Sequence, residues 1–597
     1  MPPSAGPRRH ILTVALEDYF QVSPFRDLIA PAQWSRFERR LEIGTTRTLD
    51  LLDEFGIRAT FFVLGWVADV VPELVRRVSD RGHEVASRGY YHRGVREMGS
   101  EFRDDLARAR ESLERASGQR VIGYRMAERW LAPSDLHALD ILADEGYAYD
   151  SSIKPAWRAY AHEPWRRFLH RHGTGSGGIW EVPLSSMNLL GFDVPVAGGN
   201  HFRQFPHRLV KRAVARWDRT CSAPFVMYFH TWELDPEQPR ISTTSALAHV
   251  RQYRNLDRME GILRDYFRTY AFEGVADHLG IAAGATVAGP VTDSAAWDTS
   301  LPPALVRSAA MVEVAPVTVV VPCFNEAQAL PYLANTLTLM EHELADRYAL
   351  RFIFVDDGSE DRTSEALDRL FGSRSNCTLL RHERNRGISA AILTGLRGAT
   401  TEIVCSIDCD CTYDPHQLGN MIPLLADGVD LVTASPYHPL GSVKNVQGWR
   451  LLLSQSASGL YRLVLRQKLH TYTSCFRVYR RSAVLGLDLQ DPGYLGIVEL
   501  VGKLDLDGRT VIEYPTRLEA RLLGRSKMKV VRNVVRHLGQ LARFAALRLL
   551  RARPAPPTPA EDGFSNPSAC HSGTTAVVVE ARPPRRLRHT SSRTPLL

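Results

Sequence analysis

The chain has 597 residues, of which 44% are hydrophobic and 23% charged, with a net charge of +8. This composition excludes a wholly disordered polypeptide, and the length exceeds what one hydrophobic core organises, so several domains are expected. Eight cysteines without regular spacing exclude a disulfide scaffold and point to a reducing compartment; the modest charge implies no nucleic-acid partner, and no uncharged apolar run reaches the roughly 18 residues of a spanning helix.

The opening "MPPSAGPRRHILTVALEDYF" has an apolar run that ends at Glu17, too short for a secretory signal. From residue 8 to 280, short branched and aromatic runs read as buried strands: "ILTVAL", "ATFFVLG", "YAYDSS", "IWEVPLSS" and "PFVMYFH". Helical patterns lie between them, as in residues 102–116, where Phe102, Leu106, Ala109 and Leu113 share a face. Alternation of this kind predicts a parallel sheet or barrel. Residues 281–315 are rich in Ala, Gly, Pro and Ser without periodicity and read as a linker.

A second alternating series fills 316–529, with strands predicted at "VTVVVP", "RFIFVDD", "EIVCSID" and "DLVTAS". An open α/β sheet binds ligands at the carboxyl ends of its strands, which is where Asp356, Asp357, Asp408 and Asp410 fall. Asp408 and Asp410, one residue apart, suit Mg²⁺ or Mn²⁺ bridging to phosphate. Cys405, Cys409 and Cys411 lack the partners of a zinc set and read as packing residues. Between Arg521 and Arg553 there are ten Lys and Arg and no acid. Within it, 530–553 reads as a basic amphipathic helix, with Val531, Val534, Val535, Leu538, Leu541, Ala545 and Leu549 opposite Arg532, Arg536 and Arg543. Such a helix can lie on an anionic membrane surface or pack on its own domain. Residues 554–597 have too little apolar content to fold and are expected to be disordered.

The motifs "VVPCFNE", "FVDDGSEDRT", "NRGISAAILTG" and "SIDCDCTYDP" together resemble family-2 glycosyltransferases of the GT-A fold, in the branch like dolichyl-phosphate mannose synthase. That resemblance implies a nucleotide-sugar donor, with Pro322, Asn325, Glu326, Asp356 and Asp357 in the nucleotide pocket and Asp408 and Asp410 on the metal and diphosphate. It implies that Asp410 is catalytic and that Glu499 in "GIVELVGK" is a candidate base or else an ion-pair partner. Arg477 in "YTSCFRVYRR" becomes a candidate phosphate holder. Arg521, Arg525 and Lys527 in "EARLLGRSKMKVV" match the phosphate-binding segment of the lipid-phosphate branch. Arg384, Asn385 and Gly387 are either near the donor or an ordinary helix start.

In the first domain, "LEDYFQV", "GHEVASRGYYH", "GYR", "YDSSIKP", "EVPLSS", "PVAGGNHFRQFP" and "YFHTWELDPEQPR" resemble polysaccharide deacetylases of the NodB type. That resemblance implies a distorted (β/α) barrel and a metal-dependent hydrolase. The chain departs from it at Ala15, where an aspartate is expected, and at Arg88, where a histidine ligand is expected. A guanidinium has no lone pair to offer a metal, so Glu17, Asp18, Arg88, His92, Arg125 and His230 form a degenerate site. Arg125 is expected to bind an acidic sugar or pair with Glu17, and His230 to keep the acid's place or be an ordinary core residue.

The combined expectation is a metal-dependent glycosyltransferase that carries sugar to a lipid-phosphate or lipid-linked acceptor in envelope or exopolysaccharide synthesis. It would sit peripherally on the inner face of the cell membrane. Two rivals stand beside it: a bifunctional enzyme with an active deacetylase, and a non-catalytic carbohydrate-binding scaffold.

Overall fold

The computed structural model describes residues 8–281, 314–524 and 530–551, apart from 129, 157, 158, 161, 176, 190, 191, 243, 244 and 447. The linker, apart from its end residues, the carboxy-terminal tail, Arg525 and Lys527 therefore lie outside the described residues.

The amino-terminal domain is built on β1 (Arg9–Leu16), β2 (Thr60–Val63), β3 (Glu84–Ser87), β4 (Gly123–Tyr124), β5 (Tyr149–Asp150), β6 (His170–His172) and β7 (Ile179–Glu181). A hairpin of β8 (Ser186–Leu189) and β9 (Phe192–Pro195) follows, then β10 (Val226–His230) and β11 (Ala271–Glu273). The main sheet runs β10-β1-β2-β3-β4-β5-β7-β6, with β11 also paired to β1. Every pairing is parallel except β6 with β7. Among the described residues no ladder joins β10 to β6, so the sheet is a curled, unclosed form of the expected distorted barrel.

Burial follows the predicted periodicity. β1 is buried beyond its first residue. The helix Phe102–Ser117 buries Phe102, Leu106, Ala109 and Leu113, the predicted face. Parallel strands send their carboxyl ends to one rim, and this collects residues far apart in sequence. Glu17 follows β1, Arg88 follows β3, Arg125 follows β4 and His230 ends β10.

The second domain holds β12 (Ala315–Cys323), β13 (Tyr348–Asp356), β14 (Cys377–Arg381), β15 (Ile403–Ser406), β16 (Leu431–Ser435), β17 (Ser442–Lys444), β18 (Arg477–Arg480), β19 (Val511–Pro515) and β20 (Arg517–Glu519). The sheet order is β14-β13-β12-β15-β18-β16-β19, while β17 and β20 form a separate ladder. β12 to β15 are mutually parallel, and β18 lies antiparallel between β15 and β16. The chain leaves β12 towards β13 and β14 on one side and reaches β15 on the other. Such a reversal opens a crevice at the strand ends. Both sheets fall within one compact unit that ends at Ala546.

The basic segment does form a helix, Val530–Arg551, but not with one uninterrupted apolar stripe facing outward. Leu541 and Phe544 are buried, and the Phe544 ring occupies the space beside Gly502, where any Cβ would come within 2.2 Å of it. His537 Nδ1 lies 3.0 Å from the Tyr461 hydroxyl. Leu538, expected on the same stripe as Leu541, is instead 53% exposed. One face of the helix thus packs on its own domain. Among the described residues no helix is long and apolar enough to cross a membrane.

Candidate active site

In the second domain, β12, β13 and β15 are neighbours, and their carboxyl ends deliver Asn325 and Glu326, Asp356 and Asp357, and Asp408 and Asp410 to one crevice. Pro322, the penultimate residue of β12, is in register with Val355. Asn325 has φ of 52°, a left-handed conformation that asparagine tolerates because its short side chain bonds locally. Its Oδ1 accepts from the backbone N–H of Glu360 at 2.7 Å and of Asp361 at 3.2 Å. Asp356 Oδ1 accepts from Ser359 N at 2.9 Å, and its other oxygen lies 3.5 Å from Arg381 Nε.

Arg521 closes the crevice. Its Nη1 lies 2.9 Å from Glu326 Oε1 and its Nη2 lies 2.5 Å from Asp410 Oδ2. Burial, then the charge on Asp410, pushes the Asp408 carboxyl up to about 7. Burial works against the Arg521 guanidinium, yet the charges of Asp410 and Glu326 raise it above its ordinary range. The cluster therefore carries an excess of negative charge that attracts cations, and one side-chain cation already answers it.

Two hard carboxylates suit Mg²⁺ or Mn²⁺ when substrate oxygens supply further ligands. Among the described residues no group of three or more His, Cys, Asp or Glu side chains could hold a metal unaided. Asp408 and Asp410 thus fit a cation shared with a diphosphate and do not fit an all-protein site. The cysteines behave as packing groups: Cys405 and Cys409 are buried, and Cys409 Sγ lies 3.8 Å from Cys323 Sγ.

Three expected roles need correction. Asp357 accepts from Arg386 N at 2.9 Å, Gly387 N at 2.8 Å and lies 2.7 Å from His382 Nδ1. Its carboxylate fastens the loop before the helix Ile388–Gly398, so it is not a free wall of the pocket. Gly387 is required there, with φ of 101° and the Pro492 carbonyl oxygen 2.5 Å from any added Cβ. This makes the segment around Arg384 and Asn385 a tethered helix start. Arg477 is 1% exposed and donates to the carbonyls of Ile497 at 2.8 Å and Tyr472 at 2.9 Å. A guanidinium so directed braces the core and does not present itself to phosphate. Glu499 is fully buried, accepts from Gln490 N and Asp491 N at 3.0 and 2.9 Å, and pairs with Lys503 at 3.0 Å. Burial would raise its carboxyl, but the Asp491 N–H and Lys503 hold it below the ordinary range. It is occupied as a loop anchor and ion-pair partner of Lys503, the alternative expected beside its reading as a base.

In the first domain the rim residues also meet. Glu17 Oε1 is 2.7 Å from His230 Nδ1, and Oε2 is 3.2 Å from Arg88 Nε and 3.6 Å from His92 Nε2. Burial alone would raise the Glu17 carboxyl, yet Arg88 and then His230 hold it well below the usual carboxylate range. His92 Nδ1 lies 3.3 Å from Glu128 Oε2, a residue the sequence reading passed over although it stands three places after Arg125. Glu17, Arg88, His92 and His230 line a cavity of about 440 Å³ walled by Trp130, Tyr228 and Trp232.

Asp18 and Arg125 stand apart from this cluster. Asp18 accepts from the backbone N–H of Tyr19 and Arg40, each at 2.9 Å, and burial pushes its carboxyl up to about 7. Arg125 is fully buried and donates to Thr13 Oγ1 at 2.8 Å and to Ser151 Oγ at 2.8 Å. It does not pair with Glu17. Burial and the neighbouring Arg88 charge lower its guanidinium to about 9.

Comparison with known proteins gives three regional matches: polysaccharide deacetylase over residues 34–134, a domain of unknown function (DUF3473) over 151–279, and glycosyl transferase family 2 over 318–486. The chain is 30% identical over 219 residues to the polyprenol monophosphomannose synthase of Mycolicibacterium smegmatis, covering 35% of this chain and 80% of that protein. It is 27% identical over 236 residues to a dolichol-phosphate mannosyltransferase of Pyrococcus furiosus, covering 38% of this chain and 64% of the relative. A solved mannosyltransferase of Pyrobaculum calidifontis, in complex with GDP-Man and Mn²⁺, aligns with a TM-score of 0.29 at 22% identity, covering 41% of this chain and 68% of that one.

Proposed function

We propose, from the premise that this chain belongs to glycosyl transferase family 2, that its second domain moves a sugar from a nucleotide-sugar donor to a lipid-phosphate acceptor. The observation that carries this reading is the acidic cluster of Glu326, Asp408 and Asp410 at the crevice of the parallel strands, with Arg521 drawn against it. Curated relatives named for polyprenol- and dolichol-phosphate mannosyl transfer support the acceptor class.

Asp408 and Asp410 would hold a divalent cation, which neutralises charge on the departing diphosphate. Asn325, Glu326 and Asp356 would border the nucleotide, and Arg521 would exchange its carboxylate partners for donor phosphate. Because Glu499 is bound to the Gln490–Asp491 backbone and to Lys503, no general base is assigned. A lipid phosphate is already ionised and needs none, so the occupied Glu499 favours that acceptor over a sugar alcohol.

The first domain, over 8–280, would bind carbohydrate in its 440 Å³ cavity without deacetylating, since the Arg88 guanidinium stands against the carboxylate a metal would need. The transferase would span 316–529. A lipid acceptor would bring it to an anionic membrane surface. The outward residues Leu452 and Leu463 of the helix Gly448–Val464, 66% and 76% exposed, and Leu538 beyond the Tyr461–His537 contact, would meet that surface.

The test is a nucleotide-sugar panel with polyprenyl phosphate in membranes, comparing the parent with Asp410→Ala. Transfer dependent on Mn²⁺ or Mg²⁺, reduced about 10²–10³-fold in the variant, is expected from loss of leaving-group stabilisation. Equal transfer by both proteins overturns the reading. Release of acetate from an acetylated glycan by a metal-loaded chain would instead establish the bifunctional alternative.

A further inference from the structure

Apart from Asn445 Nδ2, which donates to the Asp27 carbonyl at 3.3 Å, the hydrogen bonds and ion pairs between the two domains, among the described residues, gather on the three segments that hold the acidic cluster. The first segment carries Glu326. The helix that follows it, Leu330–Leu344, is gripped by the turn after Pro31–Arg36 of the first domain. Asn335 Nδ2 donates to the carbonyls of Arg36 at 3.2 Å and Phe37 at 3.3 Å, and the Phe37 and Tyr332 rings meet edge to face at 4.9 Å.

The second segment carries Asp408 and Asp410. Four residues beyond Asp410, Asp414 caps the turn Pro415–Gln417 and receives Arg36 Nη2 at 3.0 Å, a contact with only 15% of the arginine side chain exposed. Between these points, Glu519 N donates to Thr412 O at 2.9 Å. Glu519 in turn lies 3.3 Å from Gln33 Nε2 of the first domain.

The third segment carries Arg521. The next residues run along the first domain: Leu523 bridges Ile241, Ser242 N donates to Leu522 O at 2.7 Å, and Ser242 Oγ donates to Gly524 O at 3.0 Å. Leu523, Ala329 and Tyr332 belong to the hydrophobic core of the first domain, although they are second-domain residues.

We infer that the deacetylase-like domain is a positioning arm of the transferase site. Arg36 sets the Asp408–Asp414 turn, and the Ile241–Ser242 edge sets the height of Arg521 over Asp410 and Glu326. Ordinary domain packing would scatter contacts over the facing surfaces. Here each catalytic-edge segment is tied close to its charged group in sequence, at Leu522 beside Arg521, at Asp414 four residues after Asp410, and at Ala329, Tyr332 and Asn335 on the helix turn that follows Glu326. The inference rests on the transferase reading and explains why a domain whose own cavity is closed to metal keeps an ordered fold. Arg36 and Ser242 are positioning residues, because neither touches the expected substrate.

The experiment uses the full chain and the variants Arg36→Ala, Arg36→Lys and Ser242→Ala, with Arg36→Ala/Asp414→Asn as the paired control. Readouts are kcat, KM for nucleotide-sugar, the Mn²⁺ concentration giving half-maximal rate, the melting temperature, and amide hydrogen exchange over 408–416 and 518–524. Arg36→Ala is expected to lower kcat/KM about 10- to 100-fold, the scale of a small misplacement of a reacting group, with faster exchange in the 408–416 segment. Arg36→Lys should recover part of the loss, and the paired variant should lose no more than Arg36→Ala, since the two side chains act through one contact. Ser242→Ala should speed exchange over 518–524. Unchanged kinetics and unchanged exchange in all variants overturn the positioning role, as does a fall in melting temperature with kcat/KM intact. If the parent transfers no sugar, the functional reading falls while the exchange measurement still decides whether the arm sets these segments.

Discussion

Replacing Arg88 by methionine isolates its buried interaction with Glu17 at the rim of the first domain. Glu17 is 1% exposed, and its Oε2 lies 3.2 Å from Arg88 Nε. At that separation two unit charges attract by about 5 kcal/mol at an effective dielectric near 20. Dehydrating both groups offsets much of this, so the pair itself contributes little to net stability. Removing one member is different, since it leaves a buried carboxylate with only the His230 and His92 imidazoles beside it, and loss of one partner of a buried pair typically costs about 3–5 kcal/mol. Arg88→Met should therefore destabilise the first domain by about that amount at neutral pH, whereas Arg88→Met/Glu17→Gln should recover most of it. Urea unfolding followed by tryptophan emission suits the question, because Trp34, Trp66, Trp130, Trp157, Trp165, Trp180, Trp217 and Trp232 all precede the linker, against two later tryptophans. The folded-state carboxyl of Glu17 is depressed, so the parent's contribution is fully present above the unfolded carboxyl range and is lost progressively as pH falls from there to the depressed folded value. A single variant that loses less than about 1 kcal/mol, or a double variant no better than the single, would refute the buried-pair account.

Glu499→Gln should reduce turnover less than the 10²–10⁴-fold that loss of a general base brings, because its carboxylate anchors Gln490 and Asp491; steady-state kinetics decide it. Arg477→Met should lower stability by about 3 kcal/mol or more through orphaned carbonyls of Ile497 and Tyr472, seen in the melting temperature, while KM for a phosphate acceptor stays unchanged in the folded fraction. Asp18 has its folded carboxyl raised from 3.8 to about 7, so the folded state binds the extra proton between those values and stability falls as pH rises across them. Asp18→Asn should flatten that slope in urea unfolding curves taken at successive pH. Leu452→Ser/Leu463→Ser should weaken co-sedimentation with anionic vesicles, as both side chains stand outward on the helix Gly448–Val464.

Local patterns were readable where burial and periodicity coincide. β1, β12, β13 and β15 carry apolar runs buried on both faces, with exposure confined to Arg9, Pro316, Ala349 and Arg351 towards their amino ends, and the helix Phe102–Ser117 keeps its predicted face. β3, by contrast, is Glu84–Ser87 and has little apolar character, because its polar side chains are satisfied by distant groups. Glu84 takes the hydroxyls of Tyr149 at 2.8 Å and of Thr60, and no spacing rule foretells partners so remote. The acidic strand ends were legible for the same reason as the strands: an apolar run followed by carboxylates marks the edge of a parallel sheet. The phosphate role expected of Arg477, and the base role set beside an ion pair for Glu499, came from residue type alone, which suggests a surface or catalytic place. Their actual partners are backbone groups, which every sequence supplies and none advertises.

The two domains use the same electrostatic device with opposite accessibility. Both collect carboxylates at the carboxyl ends of parallel strands, and in both an arginine takes up the cationic position. In the first domain Arg88 is 4% exposed, and its partner Glu17 is also touched by His92 and His230, so the guanidinium is enclosed with its counterion. In the second domain Arg521 is 26% exposed and sits on a segment held from outside its own sheet, against Glu326 and Asp410. An enclosed pair can be separated only at the price of a buried charge, while a partly hydrated arginine on an edge segment can trade a carboxylate for a phosphate at modest cost. On the proposed function, accessibility of the resident guanidinium, more than the number of acids around it, would separate a crevice that receives a cation and a diphosphate from one whose carboxylate stays enclosed with its arginine.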